Sequence, residues 1–364
     1  MKRLSSEQWS QGKTISNKRF LTKIKRKNKF YDTTKRPKVT RLLGAANIEA
    51  PITISIYDVE NEQTFYTDTM DFISNIENEL SKGTCIIDFS HTKSMSAAAL
   101  VVIYAAVDAI KSKFSFRGRV RWSTSKAVNG AIKASNLQKL IENRPIKVTL
   151  NPSKALPIIH GVGSNYLEEV VDYIQNSIYK NEMSPETEHM FGDAVSETIN
   201  NVRLHAYPKE KDDDKSWWLL CQVVGNQLYL AIYDTGVGIP KTVLDKPWFW
   251  ASLEKTYPDE YEQLVKISPE IERQGWKLMV PKKLEDSQLI GLSMIGDITG
   301  TYKSKHGQGS KSIKALVEET DNGKLWIFSN KGLYIFEQGA EKPDLYKLPR
   351  KISGTLVQWN IGIK

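Results

Sequence analysis

The stretch from Asp193 to Pro208, DAVSETINNVRLHAYP, constrains this chain most. Asp193, Glu197, Asn201 and His205 recur every four residues, a spacing that a helix turns into one continuous polar face. Phe191, Val195, Val202 and Ala206 fall largely on the other side, where they can bury. Ser184 is the N-cap, Pro185 fits the first turn and Pro208 stops the run, so the spacing predicts a helix over 182–205. A carboxylate, an amide and an imidazole in line suit a magnesium-bound nucleotide. Asn can ligate the metal through its carbonyl oxygen, and Glu can orient or deprotonate an attacking hydroxyl. The same pattern also describes the solvated face of an amphipathic helix, so other motifs must decide.

Those motifs follow in order. Two strands are predicted at 217–224 and 227–233, and the second ends in DTGVGIP, Asp234 to Pro240. Gly236 and Gly238 let the backbone approach a flat ligand, and Asp234 can accept a hydrogen bond from an exocyclic amine such as adenine's. The next 66 residues, Lys241 to His306, exceed a plain connection and read as a lid or inserted subdomain, with the aromatics of Pro247-Trp248-Phe249-Trp250 as a local core. HGQGSKSI, His306 to Ile313, then places glycines before a helix N-terminus, where free N–H groups and the helix dipole favour anions. The spacing is not that of a Walker A loop. Lys324 to Phe328 and Gly332 to Phe336 are expected to pair as a hairpin around Ser329-Asn330-Lys331, and Thr355 to Ile361 closes the chain as a strand.

Taken together, the helix, DTGVGIP, HGQG and the terminal Ser-Gly-Thr resemble, in order and spacing, the Bergerat nucleotide-binding fold of the ATPase superfamily that includes gyrase, histidine kinases and MutL. The resemblance covers about the last two hundred residues. It implies ATP and Mg2+ as ligands. It assigns Glu197 as general base or water-positioning carboxylate and Asn201 as the magnesium ligand. It assigns Asp234 to adenine with Gly236 and Gly238 as its glycines, Gly307 and Gly309 to the phosphates, and Thr355 to the base pocket. His205 joins the nucleotide side through ExxxNxxxHxY, which resembles the anti-sigma factor serine kinases. Orthodox histidine kinases usually carry a basic residue three positions after the Asn; Leu204 stands there in this chain.

Residues 46–155 alternate strand and helix, which favours a sheet with helices packed on one side. CIIDFSHTKSMSAAALVVIYAAVDAI, Cys85 to Ile110, resembles the central strand, loop and helix of a STAS domain. In that family an Asp-Ser-x-Gly-Leu pattern opens the helix and its Ser is phosphorylated by a partner kinase. Here the helix opens with Met95-Ser96-Ala97-Ala98-Ala99, so the Asp and Gly are missing, and Ser96 also fits a plain N-cap. The fold class expected is α+β: a STAS-like domain over 46–155, then a Bergerat-type α/β sandwich over 156–364 with a long lid at 241–306. The connection 151–163 holds two prolines and two glycines, and His160 within it has no assigned role.

Charge separates the first segment from the rest. Residues 1–41 hold 14 Lys and Arg against Glu7 and Asp32, a net of +12, leaving 37 basic and 40 acidic residues, net −3, to the remainder. Residues 1–45 therefore read as a basic tail, disordered alone, that either contacts a nucleic acid or serves as a tether. The two cysteines, Cys85 and Cys221, lie in apolar runs and read as buried free thiols of a cytoplasmic protein. No secretory signal or bilayer-spanning run is evident. The reading is an ATP-dependent regulatory switch that phosphorylates a hydroxyl on a protein partner or changes shape with nucleotide. The alternative is a non-kinase module whose nucleotide gates assembly with a protein or nucleic acid; a homo-oligomer is compatible with either. A chain shortened to begin near Leu43 should lose any low-salt gel shift of DNA or RNA while keeping nucleotide binding. No shift by the intact chain would leave the tail as a tether.

Overall fold

The computed structural model describes residues 39–42, 45–57, 64–146, 157–180, 182–267, 279–299 and 309–363. The tail reading thus lies outside the described residues except at its end, where Val39–Leu42 forms strand β1. Residues 41–364 make one compact unit of mixed α/β structure.

The N-terminal half is built on a four-stranded sheet in the order β1-β2-β4-β6, with β2 at Ala45–Glu49, β4 at Thr84–Asp88 and β6 at Arg117–Arg121. β4 runs parallel to both β2 and β6. A small parallel pair, β3 (Thr53–Ile54) with β5 (Ser94–Met95), stands beside it. Helix α1 (Thr64–Leu80) and helix α2 (Ala97–Lys111) follow β3 and β5. The Ser96 side chain accepts the Ala99 N–H at 3.3 Å, so Ser96 is the N-cap of α2. Helices α3 (Lys126–Ala134) and α4 (Leu137–Ile141) close this half.

The sequence predicts one helix over 127–141, but the chain breaks at Asn136, which sits at φ 63°. Asn tolerates the left-handed region, and the Ser135 hydroxyl competes for nearby backbone groups at the break.

The C-terminal half is a five-stranded antiparallel sheet, ordered β10-β11-β9-β8-β7. Its strands are β7 Ile159–Val162, β8 Ser216–Val224, β9 Gln227–Asp234, β10 Lys324–Glu337 and β11 Asp344–Gly362. Side chains alternate along each strand, so each face has its own set. Trp217, Leu219, Cys221, Leu228, Leu230, Ile232, Leu325, Ile327, Val357, Trp359 and Ile361 enter the core shared with the C-terminal helices. These helices are α5 (Leu167–Tyr173), α6 (Pro185–Asn201), and two later ones, Asp286–Thr299 and Gly309–Glu318. The intervening residues Trp218, Leu220, Ala231, Tyr233, Phe328 and Leu356 are buried as well. They face α1 and α2, which pack on β11, and on β8 and β9. Helix α2 packs on β8 and β9 and against α1 and α4, which agrees with its being apolar all round, with eleven of its residues buried.

Polar pins cross this layer. Asp108 Oδ2 near the end of α2 accepts from Trp218 Nε1 at 3.0 Å and pairs with His160 Nδ1 at 2.9 Å. His160 stacks on Trp218 with ring centroids 5.0 Å apart, so the residue that sequence reading left without a role fastens β7 and β8 to α2. Burial alone would raise the Asp108 carboxyl, but the hydrogen bonds from His160 and Trp218 and the charge around it bring it below the usual carboxylate range. Tyr57 OH donates to Gln358 Oε1 at 2.5 Å, and Tyr66 OH donates to the Arg350 carbonyl at 2.9 Å.

Two expectations are corrected. Lys324–Phe328 and Gly332–Phe336 do not form a hairpin; they are one strand, β10, which pairs along its length with β11. Asn330, at φ 52°, makes a bulge there, with register shifts between Ser329 and Asn330 and between Asn330 and Gly332. The predicted connection over 151–163 contains strand β7. Its Gly161 is opposite Trp217, and a Cβ at that glycine would stand 2.1 Å from the indole. Cys85 and Cys221 are buried free thiols, each pushed up to about 12 by burial. No helix among the described residues is long and apolar enough to cross a membrane.

Residues 157–364 expressed alone would bare the second face of the sheet, including Trp218, Leu220, Tyr233, Phe328 and Leu356. That fragment is expected to precipitate or to bind a hydrophobic dye strongly, whereas 39–364 should melt in one cooperative transition. A soluble, cooperatively melting 157–364 fragment would refute the shared core.

Candidate functional site

The helix carrying the four-residue polar repeat starts as predicted. Ser184 Oγ caps the Thr187 N–H at 3.2 Å, and Pro185 occupies the first turn. The α-helix ends at Asn201 and continues as a π-helical turn over Val202–Ala206. Asp193, Glu197 and Asn201 lie on the α-helical part, roughly 6 Å apart along the axis. Asp193 is exposed, while Glu197 and Asn201 are half-buried. His205 lies on the π turn, which winds more slowly and re-aims its side chain; such turns concentrate at functional sites. The four-residue spacing carried no signal of this change.

The end of that helix is stitched to the DTGVG loop. Val237 N–H donates to the Ala206 carbonyl at 2.9 Å. Gly236 passes so close that a Cβ there would sit 2.2 Å from the Ala206 carbonyl oxygen. Tyr207 OH donates to the Ser216 carbonyl at 2.8 Å and accepts the Thr235 N–H at 2.9 Å. With the tyrosine proton committed to Ser216, the Thr235 hydroxyl, 3.1 Å away, donates to Tyr207. Burial, reinforced by the nearby Asp234, raises Tyr207 and keeps it a neutral donor.

Asp234 ends β9 on the helix-facing side of the sheet, in step with Ile232. It is 4 % exposed. Its Oδ1 accepts the Gly236 N–H at 2.7 Å. Burial raises its carboxyl to about 7, against the pull of the Gly236 and Thr355 backbone N–H groups.

Thr355 pairs with Asp234 across β11 and β9. The Ser329 hydroxyl donates to the Gly354 carbonyl at 2.9 Å and accepts the Ile239 N–H at 3.0 Å, so the Thr355 hydroxyl, 3.1 Å away, donates to Ser329. Gly238, at φ 86°, fits against these groups; a Cβ would lie 2.8 Å from both Ser329 Oγ and Asn330 Nδ2.

Asp234, Gly236, Gly238 and Thr355 thus gather at one end of the sheet. Ser329 and Asn330 join them from the β10 bulge, where sequence reading had expected a turn. Gly309 opens the helix Gly309–Glu318, which packs directly on α6. Gly307 lies outside the described residues.

His205 Nε2 is 2.9 Å from Lys246 Nζ. An ammonium has no lone pair, so Lys246 donates and His205 accepts. Burial first, and the Lys246 charge second, push His205 down to about 4. Lys246 follows the short helical turn Val243–Asp245, at the start of the long segment. That segment has its own core of Val243, Phe249, Leu253, Leu264, Val280, Leu284, Leu289 and Leu292, with Trp248 and Trp250 packed against it. Among the described residues no group of three or more His, Cys, Asp or Glu could hold a metal by itself. No protein-family model matches the chain, and no curated protein matches it significantly.

His205 has a depressed folded value, so the folded chain refuses a proton that the unfolded chain accepts from about pH 6.5 downward. Stability is therefore expected to fall as pH drops from about 6.5 towards 4. Replacing His205→Gln should flatten that part of the curve in urea unfolding at stepped pH, and an unchanged slope would place His205 outside this linkage.

Proposed function

We propose that residues 157–363 hold ATP with Mg2+ in a Bergerat-type site, and that residues 39–146 are a STAS-like domain fused to its sheet. The observation that carries this reading is Asp234: a buried carboxylate at the end of a central strand, boxed by close-packed backbone at Gly236 and Gly238. Its position suits recognition of a flat base bearing an exocyclic amine. The Thr355 and Ser329 hydroxyls tie β11 to β10 beside it.

The donor set fits the remaining groups. Asn201 and Glu197 lie one turn apart on this helix, so the amide oxygen would serve the metal and the carboxylate a hydroxyl or water. Mg2+ commonly takes few protein ligands and completes its shell with phosphate oxygens and water, which agrees with a lone Asn ligand. When bound, the metal supplies charge neutralisation on the phosphates. Glu197 would orient the attacking hydroxyl, and the N–H groups at the start of Gly309–Glu318 would face the phosphates.

The activity proposed is that of an anti-sigma-factor-like serine/threonine kinase or ATPase switch acting on a protein partner. Reduced, buried cysteines fit a cytoplasmic setting. A second reading, a nucleotide-gated module without phosphoryl transfer, draws on the direct packing of α2 against the strand that ends in Asp234. Such packing would pass a change at the site to the N-terminal half.

Asp234→Asn is expected to weaken ATP about ten-fold or more, since the amide lacks the charge of the carboxylate acceptor. Glu197→Ala should keep ATP binding and block turnover, whereas Asn201→Ala should lose the Mg2+ dependence of binding. Calorimetry and transfer of labelled γ-phosphate measure both. Equal ATP affinity in wild type and Asp234→Asn refutes the pocket, and ATP binding without turnover in wild type selects the gated module.

A further inference from the structure

We infer that the outward side of strand β6 binds a single-stranded nucleic acid, gripping phosphates with Arg117 and Arg119 and stacking a base on Phe114. This surface belongs to the folded body and uses none of the residues proposed for the nucleotide.

Charge is segregated a second time along the chain. Ala109 to Ile141 hold eight Lys and Arg and no Asp or Glu. The remainder of 42–364 holds 29 basic and 40 acidic residues, a net of −11. The basic segment runs from the end of α2 through β6, α3 and α4.

The fold lines up three of these charges. Side chains alternate along β6, so Gly118 and Val120 face one side and Arg117, Arg119 and Arg121 the other. The glycine side is taken by α4, which packs on β6 so closely that a Cβ at Gly118 would strike the Ile141 carbonyl. The three arginines are exposed, roughly 7 Å apart along the strand. β6 is an edge strand, bonded in its sheet to β4.

The acids beside this row are engaged elsewhere. Asp88, opposite Arg121 on β4, pairs with it at 2.6 Å. Glu142, the first acid after the segment, pairs with Arg144 at 3.0 Å. Opposite Arg117 and Arg119 stand Thr84 and Ile86, which carry no charge. Neither arginine makes an ion pair among the described residues. Their mutual repulsion is relieved by an anion, and each guanidinium can take a phosphate through two N–H groups.

A line of cations suits a linear polyanion, and the rings at its ends select a nucleic acid. Phe114, three residues before Arg117, is 49 % exposed. Trp122, directly after Arg121, is half-buried, with Lys133 Nζ 5.1 Å from its ring centroid. Unpaired bases stack on such rings, whereas a duplex keeps its bases inside. A lipid surface would ask for a cluster of exposed apolar side chains, and Phe114 is the one large example in this segment.

The test is fluorescence anisotropy of the full chain with labelled single strands of RNA and DNA, about 20 nucleotides long and so longer than one site, and with matching duplexes, at stepped salt. Arg117→Gln with Arg119→Gln should weaken single strands about ten-fold. It should also lower the slope of log affinity against log salt by about 1.4, two contacts at about 0.7 each. Lys255→Gln with Lys266→Gln removes the same charge from exposed positions of the long segment and should change affinity less than about two-fold. Phe114→Ala should weaken single strands several-fold without changing the slope, and Arg117→Lys with Arg119→Lys should keep most of the affinity. If the Gln pair fails to melt cooperatively, Arg119→Gln alone replaces it, with half the change in slope. The tighter of the RNA and DNA arms identifies the source of the strand. Sequence reading places nucleic-acid contact in the tail alone, so that the chain beginning near Leu43 loses its gel shift; this surface instead leaves it a weaker, salt-sensitive one. Complete loss in that shortened chain, or an unchanged affinity and slope in the Arg117 and Arg119 variants, overturns the inference. So does a wild type that binds duplexes as tightly as single strands, or that binds anionic phospholipid vesicles and no strand.

Discussion

The structure depends on one sheet with two dry faces. Antiparallel sheets commonly leave one face to water. Here Trp217 and Trp218, neighbours on β8, are both buried, one under the C-terminal helices and the other under α2. Every residue along β8 from Trp217 to Cys221 is buried, so neither face tolerates a one-residue slip of register. Helix α2 is covered by β8 and β9 and by its neighbours α1 and α4, and has no polar stripe to offer. Asp108 on α2 is tolerated because His160 and Trp218 both engage its carboxylate.

The same sheet sets up the candidate site at its end. Asp234 is buried because β9 is central and its last residue still alternates towards the helices. The loop beyond it cannot move independently of α6, since Gly236 touches the Ala206 carbonyl and Tyr207 holds Thr235. On the other side, Ser329 joins Ile239 to Gly354 and Thr355. Strand ends, helix end and loop therefore form one hydrogen-bonded frame around a carboxylate raised by burial. Such a frame holds the carboxylate rigidly in place.

The long segment after Gly238 adds a second core. Its own core of Phe249, Leu253, Leu289 and their neighbours folds it as a satellite of the main core. Asp286 of this segment accepts the Lys331 N–H at 2.8 Å, beside the β10 bulge. Lys246 carries a second link, to the π turn of the polar-faced helix. Helix Asp286–Thr299 of the same segment packs on β10 and sends Ile290 and Met294 into the main core, so these polar links add to an apolar attachment.

The sequence by itself determined whatever depends on near neighbours. A four-residue repeat specifies a helical face, so Glu197 and Asn201 were legible on one helix. Ser184 and Ser96 announced N-caps, and a glycine-rich run after an apolar strand announced the turn behind Asp234. Tertiary structure decided the rest, because its causes lie far apart in the chain. Ser329 and Asn330 look like a turn until Ile239, 90 residues away, and Gly354 take up the serine hydroxyl, and then the strand runs on through a bulge. The glycine and prolines around Ile159–Val162 hid a strand that pairs with β8, where Gly161 leaves room for the Trp217 ring. The π turn beyond Asn201 and the meeting of His205 with Lys246 leave no local pattern at all. Side-chain periodicity reports which face a residue takes; only the folded sheet and the chain packed around it decide what that face meets.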